Sequence, residues 1–436
     1  MLTHADADLA HRESQLPGLA TLLDTDALFT ALNKARPGIR ISAASVSYLR
    51  YKPQTSCLAG YRVESEAEVN FLTATALRRD ACAKQAKVLT DPDRIWLADQ
   101  AITVALFPSD DKLPSLARLM NSDGRRHLLA RIAPHRTDWL DGDIEILRYK
   151  PERRAVARLM VEGTPRAVLR LFPPRGFAAA LAGARAYRSC NAVRIARLLG
   201  KTVRHRMIAL EWLPGRCLTD ALNHKGFHLG GISAVGAALA ALHAQNPSRL
   251  PQRSRAEEAV PLMDVADWLA AVVPNSATVA RTLARTLGVR LEQTPQESAP
   301  LHGDFYANQV LLDGSNVGII DCDEACRGDP SMDLGTFGAH LEGNALRGHG
   351  VPALVGPVMA ELIDSYRLAS QQHISDERIA LFAAVGLLRL AAHPFRNREP
   401  HWPERTASLL ERADELLRLA TPRTSARVEC EVGTLQ

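Results

Sequence analysis

Five consecutive residues of this chain occur twice: Leu49-Arg50-Tyr51-Lys52-Pro53 returns as Leu147-Arg148-Tyr149-Lys150-Pro151, 98 positions further on. Aligned at that offset, residues 46–64 and 144–162 share eight identities in 19 positions, the others being Ala59/Ala157, Val63/Val161 and Glu64/Glu162. Chance supplies about one identity over such a window. In each copy a short apolar run leads into Tyr-Lys-Pro, and a second run follows at residues 57–63 or 155–161, which reads as a hairpin. The bland alternative is a turn motif that recurs by coincidence. A third run at residues 167–172 completes a meander in the second copy before Pro173-Pro174 stops it; Gly176 then opens a helical stretch expected to reach about residue 199. Two copies of one small β-unit are the first constraint on the fold.

The remainder reads mostly as helix. Residues 207–213 form an apolar strand ended by Pro214-Gly215, and Ile232, Val235, Leu239 and Leu242 then lie on one helical face. Residues 379–392 give another apolar-faced helix. Trp402-Pro403-Glu404 starts a last one with proline in its first turn, carrying Leu409, Leu410, Ala413, Leu416 and Leu417 at helical spacing. A chain of 436 residues has room for two or three domains, and 46% hydrophobic with 23% charged residues lies outside the disordered range. Only the ends are expected to be loose, the last sixteen residues above all. The apolar runs fall short of the roughly 18 residues of a membrane span, and the first thirty residues lack the unbroken apolar core of a secretory signal. No membrane association and a cytoplasmic location are therefore expected. Seven cysteines, an odd number scattered along the chain, argue for reduced thiols. Cys322 and Cys326 have no matching pair at zinc spacing and are expected to line the core.

Charge is unevenly distributed. The net value of +5 is too small to imply nucleic acid as a partner, but residues 144–206 carry fifteen Lys/Arg against three acids. Residues 301–345 carry eight acids against one base, Arg327. A basic wall facing an acidic one suits a polyphosphate and its divalent cations; two separate solvated surfaces are the alternative.

The acidic segment runs His302-Gly303-Asp304-Phe305-Tyr306-Ala307-Asn308-Gln309, passes through an apolar strand, turns at residues 313–316 and returns to Ile320-Asp321. Hairpin geometry places Asp321 opposite Gln309 if the turn centres on residue 315, or opposite Asn308 if it centres half a residue earlier. Asp304 precedes the outgoing strand, near enough to share the site and free to take a proton from an incoming hydroxyl.

This ordered set resembles the aminoglycoside phosphotransferase and choline kinase group of small-molecule kinases. The pattern is His302, Asp304, Gln309 and Asp321, then Gly328-Asp329-Pro330 and Asp333-Leu334, over about residues 144–420. The resemblance implies an α+β, protein-kinase-like two-lobed fold with an antiparallel β N-lobe at 141–213 and a mostly helical C-lobe at 214–420. A duplicated N-lobe-like domain at 1–140 would precede it and a flexible tail at 421–436 would follow. It implies ATP and Mg²⁺ as cofactors, Asp304 as catalytic base and Asp321 as metal ligand. Gln309 stands where the family has asparagine, with Asn308 as the fallback ligand. Arg170 takes the place of the strand lysine, and no acid lies between Glu162 and Glu211 to pair with it from the following helix. Lys150 and Arg153, in a turn without glycines, are phosphate-contact candidates or simply exposed turn residues. The backbone of Glu211 to Leu213 is expected at adenine. Asp323 and Glu324 are candidates for holding a cationic or polyhydroxyl acceptor, while Asp329 and Asp333 read as structural acids. A small-molecule hydroxyl substrate follows, expected to be an aminoglycoside, a sugar or an amino-alcohol-like compound. A catalytically weak nucleotide- or metabolite-binding pseudokinase is the second reading, and a metal hydrolase on His302, Asp304 and Asp321, with His340 as a weak recruit, is the third.

Overall fold

The computed structural model describes residues 2–37, 41, 43–64, 69–81, 91–224 and 226–420; the expected tail at 421–436 lies outside them. The repeat extends well beyond its five identical residues. Its first copy opens with helices α1 (His4–Arg12), α2 (Leu19–Leu23) and α3 (Thr25–Ala35). Strands β1 (Ala43–Lys52), β2 (Ser56–Glu64), β3 (Val69–Leu77), β4 (Arg94–Leu97) and β5 (Ile102–Leu106) follow, in antiparallel order β1-β2-β3-β5-β4. The second copy opens with α4 (Ser115–Met120) and α5 (Ser122–Ile132) and continues through β6 (Asp143–Lys150), β7 (Arg154–Val161), β8 (Thr164–Leu171), α6 (Phe177–Ala186), β9 (Arg194–Ile195), β10 (Leu198–Thr202) and β11 (Met207–Glu211). Its sheet runs β6-β7-β8-β11-β10, the same order. Leu116, Leu119, Leu128, Leu129 and Ile132 of α4 and α5 pack on this second sheet, so its core draws on residues well upstream of 141.

The two hairpin turns are anchored alike. The Tyr51 hydroxyl and the Gln54 N–H both donate to Oε2 of Glu13, at 2.7 Å each. The Tyr149 hydroxyl and the Glu152 N–H both donate to Oδ2 of Asp110, at 2.9 and 2.8 Å. Gln54 and Glu152, 98 positions apart, adopt positive φ of 57° and 59°. A residue with a Cβ avoids that region unless its surroundings hold it there, and a carboxylate receiving its N–H is such a hold.

Beyond β11 come β12 (Arg216–Cys217), α7 (Leu218–Leu222), α8 (Gly230–His243), α9 (Arg255–Val272) and α10 (Ala277–Gln293). After the acidic segment follow α11 (Ser331–Leu346), α12 (Pro352–Ser370), α13 (Asp376–Leu390), α14 (His393–Arg396) and α15 (Trp402–Leu419). Ser254 and Glu257 close a capping box on α9, and Pro403 sits in the first turn of α15 as expected. The acidic segment supplies β13 (Ala299–Leu301), β14 (Val310–Asp313), β15 (Asn316–Ile319) and β16 (Cys326–Gly328); β14 and β15 join a sheet ordered β12-β14-β15-β9. Residues 376–396 are long and apolar enough to cross a membrane, longer than the run read from the sequence, and 72% of that stretch is buried within the fold.

Helix α6 stops at Ala186, well short of the expected residue 199. Tertiary contacts override the helical pattern. The Tyr187 hydroxyl donates to the carbonyl of Leu301 at 2.7 Å, and Arg194–Ile195 pairs in parallel with Gly318–Ile319. The first copy also packs on the helical lobe: Arg398 grips buried Asp6 with both Nη atoms, at 2.7 and 2.6 Å, and the Trp268 indole donates to the carbonyl of Tyr51 at 3.0 Å. Val272, Val273, Phe395 and Trp402 complete the core of the first copy.

Candidate active site

Strand alternation sorts the second sheet into two faces. Ala155, Ala157, Leu159, Leu169 and Leu171 turn into the core beneath α4 and α5. Pairing puts Val156 opposite both Arg170 and Arg148, and Arg154 opposite Lys150. Arg148, Lys150, Arg154 and Arg170 therefore share the other face. That face meets the acidic segment. Arg170, 5% exposed, donates to Asp321 Oδ1 at 2.8 Å and to both oxygens of Asp323, Nη1 to Oδ1 at 2.8 Å and Nη2 to Oδ2 at 2.5 Å. Arg154 reaches the same two carboxylates at 3.2 Å.

Two glycines let the backbones come this close. A Cβ on Gly183 of α6 would stand 1.9 Å from the Cys322 carbonyl, and one on Gly303, whose φ is 84°, would stand 2.0 Å from that of Glu324. The loop bearing Asp304 is fixed by buried Asp333, whose oxygens accept from the N–H groups of His302 and Gly303 at 2.7 and 2.9 Å and contact His243 Nε2 at 2.9 Å. His302 receives the Asp304 N–H on Nδ1 at 3.3 Å and faces the Ile320 carbonyl with Nε2 at 2.9 Å, which assigns its proton to Nε2 and ties the base to the strand leading to Asp321. His302 thus braces the loop.

Burial lifts the Asp304 carboxyl to about 6, and the charges of Asp321, Glu324 and Asp333 push the same way. Asp321 behaves oppositely: burial alone would raise it, but the guanidinium groups of Arg170 and Arg154 hold it low, at about 2. Burial pushes Lys150 down to about 8, helped by Arg148 and Arg154.

The other expected residues divide. The register Val310↔Ile319 centres the turn between residues 314 and 315, so Asn308 is the one aligned with Asp321, yet its amide oxygen faces the Cys217 thiol at 3.7 Å and the residue is exposed. Gln309 is buried, its carbonyl receiving the Ile320 N–H at 2.9 Å. The Glu211 N–H is taken by the carbonyl of Arg197 and its carboxylate by the Arg197 side chain, which leaves Trp212 and buried Leu213, packed near Gly318, as the free part of the connector. Arg153 is exposed. Asp323 is committed to Arg170 and Arg154 rather than turned toward an acceptor, because it supplies the charge the helix lacks; Glu324 pairs with Arg253 at 3.5 Å. Cys322 and Cys326 are buried. Arg154 was not foreseen, although its two-residue spacing from Val156, on the face of Arg170, is the signal that finds it.

Residues 152–355, somewhat under half of the chain, match the model of the phosphotransferase enzyme family, the direction in which His302, Asp304 and Asp321 pointed. An amicoumacin kinase, solved with AMP-PNP, Ca²⁺ and its ligand, superposes with a TM-score of 0.50 at 16% identity over 70% of this chain and 96% of its own. A choline/ethanolamine kinase family protein from Mesorhizobium loti follows with 0.49, 16%, 69% and 95%, and choline kinase from Cryptosporidium parvum Iowa II with 0.49, 9%, 69% and 96%. None of the curated proteins matches the chain in sequence.

Proposed function

We propose that the chain transfers the γ-phosphate of ATP to a hydroxyl group of a small molecule. The observation that carries this reading is the meeting of the cationic sheet face with the acidic segment: Arg170 and Arg154 stand on Asp321, and His302 ties the loop of Asp304, which forms no ion pair among the described residues, to the strand leading to Asp321. Asp321 and Asp323 offer carboxylate oxygens on which two guanidinium groups stand, a donor set that suits Mg²⁺, with Gln309 and Asn308 as the amide candidates for completing it. When bound there, Mg²⁺ would neutralise charge on the β- and γ-phosphate oxygens. Arg170, Arg154 and Lys150 would hold those oxygens from above, the arginines as forked donors. Asp304 orients the acceptor hydroxyl and takes its proton as the oxygen–phosphorus bond forms and the bond to ADP breaks.

Positioning and charge neutralisation supply most of the catalysis in such reactions, so Asp304→Asn should lower turnover about 10²- to 10⁴-fold while leaving Mg²⁺–ATP binding intact. A phosphate-transfer assay alongside calorimetric binding reads both. The second reading, a nucleotide-binding pseudokinase, is favoured by the double arginine contact on Asp321, and binding without turnover in the unmodified chain would establish it.

A further inference from the structure

Helix α6 is used on two faces. On one, Gly183 lets the carbonyl of Cys322 approach. On the other, Leu181 and three alanines line an open cavity of 710 Å³, closed on its far side by residues 245–250, the segment that follows α8. The lining positions 178, 181, 182 and 185 recur at helical spacing, which turns this face away from Gly183. The two walls are tied together. The Gln245 side-chain oxygen accepts the Arg188 N–H and its amide group donates to the Arg188 carbonyl, both at 2.9 Å. The second wall is pinned in turn by Arg327, whose Nη2 donates to Asn246 Oδ1 at 2.6 Å and to the Pro247 carbonyl at 3.4 Å. A cavity held by such bonds is formed before any ligand arrives, and its volume is that of a small-molecule site.

Its chemistry is one-sided. Leu181 and the alanines, with Leu250 opposite, supply apolar surface, while Arg185, Arg188 and Arg249 supply charge, and no lining residue is acidic. Neither wall can neutralise that charge locally: no acid occurs between Glu162 and Glu211, and residues 245–250 read Gln-Asn-Pro-Ser-Arg-Leu. Among the described residues the side chains of these three arginines form no ion pair and no hydrogen bond. Unengaged guanidinium groups around an apolar recess suit a ligand with both characters, forked donors for the acid and hydrocarbon wall for the rest.

We propose that this cavity binds an organic anion in which a carboxylate or phosphate is joined to an apolar body, the body resting on Leu181 and Leu250 and the charge received by Arg185, Arg188 and Arg249. Such a ligand lies across the width of α6, about 10 Å, from the loop that carries Asp321 and Asp323. The site goes beyond the phosphotransfer reading and does not rest on it.

The test titrates the full chain into 2-naphthoate, 1-naphthyl phosphate or 2-naphthylmethylammonium and follows the fluorescence anisotropy of the naphthalene ring. Saturable binding of at least one anion and none of the cation is expected; which anion binds tells a carboxylate ligand from a phosphate one. Arg185→Ala and Arg249→Ala, both at exposed positions, should each weaken that binding about threefold to tenfold, and the double variant more than either. Ala182→Trp, also at an exposed position, fills the cavity and should abolish it. Melting temperatures check that the variants fold, and if Ala182→Trp does not, the double arginine variant decides. Equal binding of the cation, no binding of either anion, or anion binding unchanged in the double arginine variant would overturn the proposal.

Discussion

Asp304 forms no ion pair among the described residues, and its carboxyl titrates near 6 in place of the usual 3.8. A carboxyl raised by folding binds its proton more tightly in the native chain, so the charge it carries above pH 6 costs native stability, and that cost disappears as the pH falls below about 4. Asp304→Asn should therefore be more stable than the unmodified chain at pH 7.5, by about 2 kcal/mol once solvent screening is allowed for, with the difference gone near pH 4. Denaturant titrations at the two pH values check this; an equal or lower stability of the variant at pH 7.5 would show that Asp304 is not held in a costly environment. Asp304, Asp321 and Arg170 could be singled out from the sequence because each has a distinctive neighbour in the chain. Arg154 was not, because a one-residue difference on a strand decides which face a side chain takes, and Arg153 looked equally eligible. The role of Asp323 was hidden for another reason: its partner Arg170 is 153 positions away.

The β6–β7 turn is the element on which the nucleotide half depends, and the first copy of the repeat holds it. Asp110 receives the Tyr149 hydroxyl and the Glu152 N–H, Arg50 donates to Glu152 at 2.5 Å, and a Cβ on Gly60 would stand 2.9 Å from the Pro151 ring. Fixing the turn fixes Lys150 and Arg154 on either side of it. Arg50→Glu and Asp110→Asn should each raise KM for ATP threefold to tenfold with little change in kcat, and pairing Arg50→Glu with Glu152→Arg should restore it. A fall in melting temperature with KM unchanged would mean that the contacts serve folding alone. The repeated hairpins were readable because five identical residues mark them. The helices before each sheet were not: α3 and α5 share a capping position but little sequence, as expected where only an apolar face must be kept.

Across the whole molecule, the contrast between a basic stretch at 144–206 and an acidic one at 301–345 anticipates how the lobes meet. Arg154 and Arg170 bridge to Asp321 and Asp323 over more than 150 positions of chain. Charge counting alone does not distinguish facing walls from solvated surfaces; the alternating pattern of β7 and β8 does, by turning the arginines inward. The first copy spans both lobes, gripping the β6–β7 turn at one end and α14 and α15 at the other, an arrangement no local signal in its sequence announces. The most direct measurement is calorimetric binding of ATP with and without Mg²⁺ to the full chain, to Asp321→Asn and to Asp304→Asn. Binding that requires Mg²⁺, survives in Asp304→Asn and falls at least tenfold in Asp321→Asn is the predicted result; binding indifferent to Mg²⁺, or unchanged in Asp321→Asn, would contradict it.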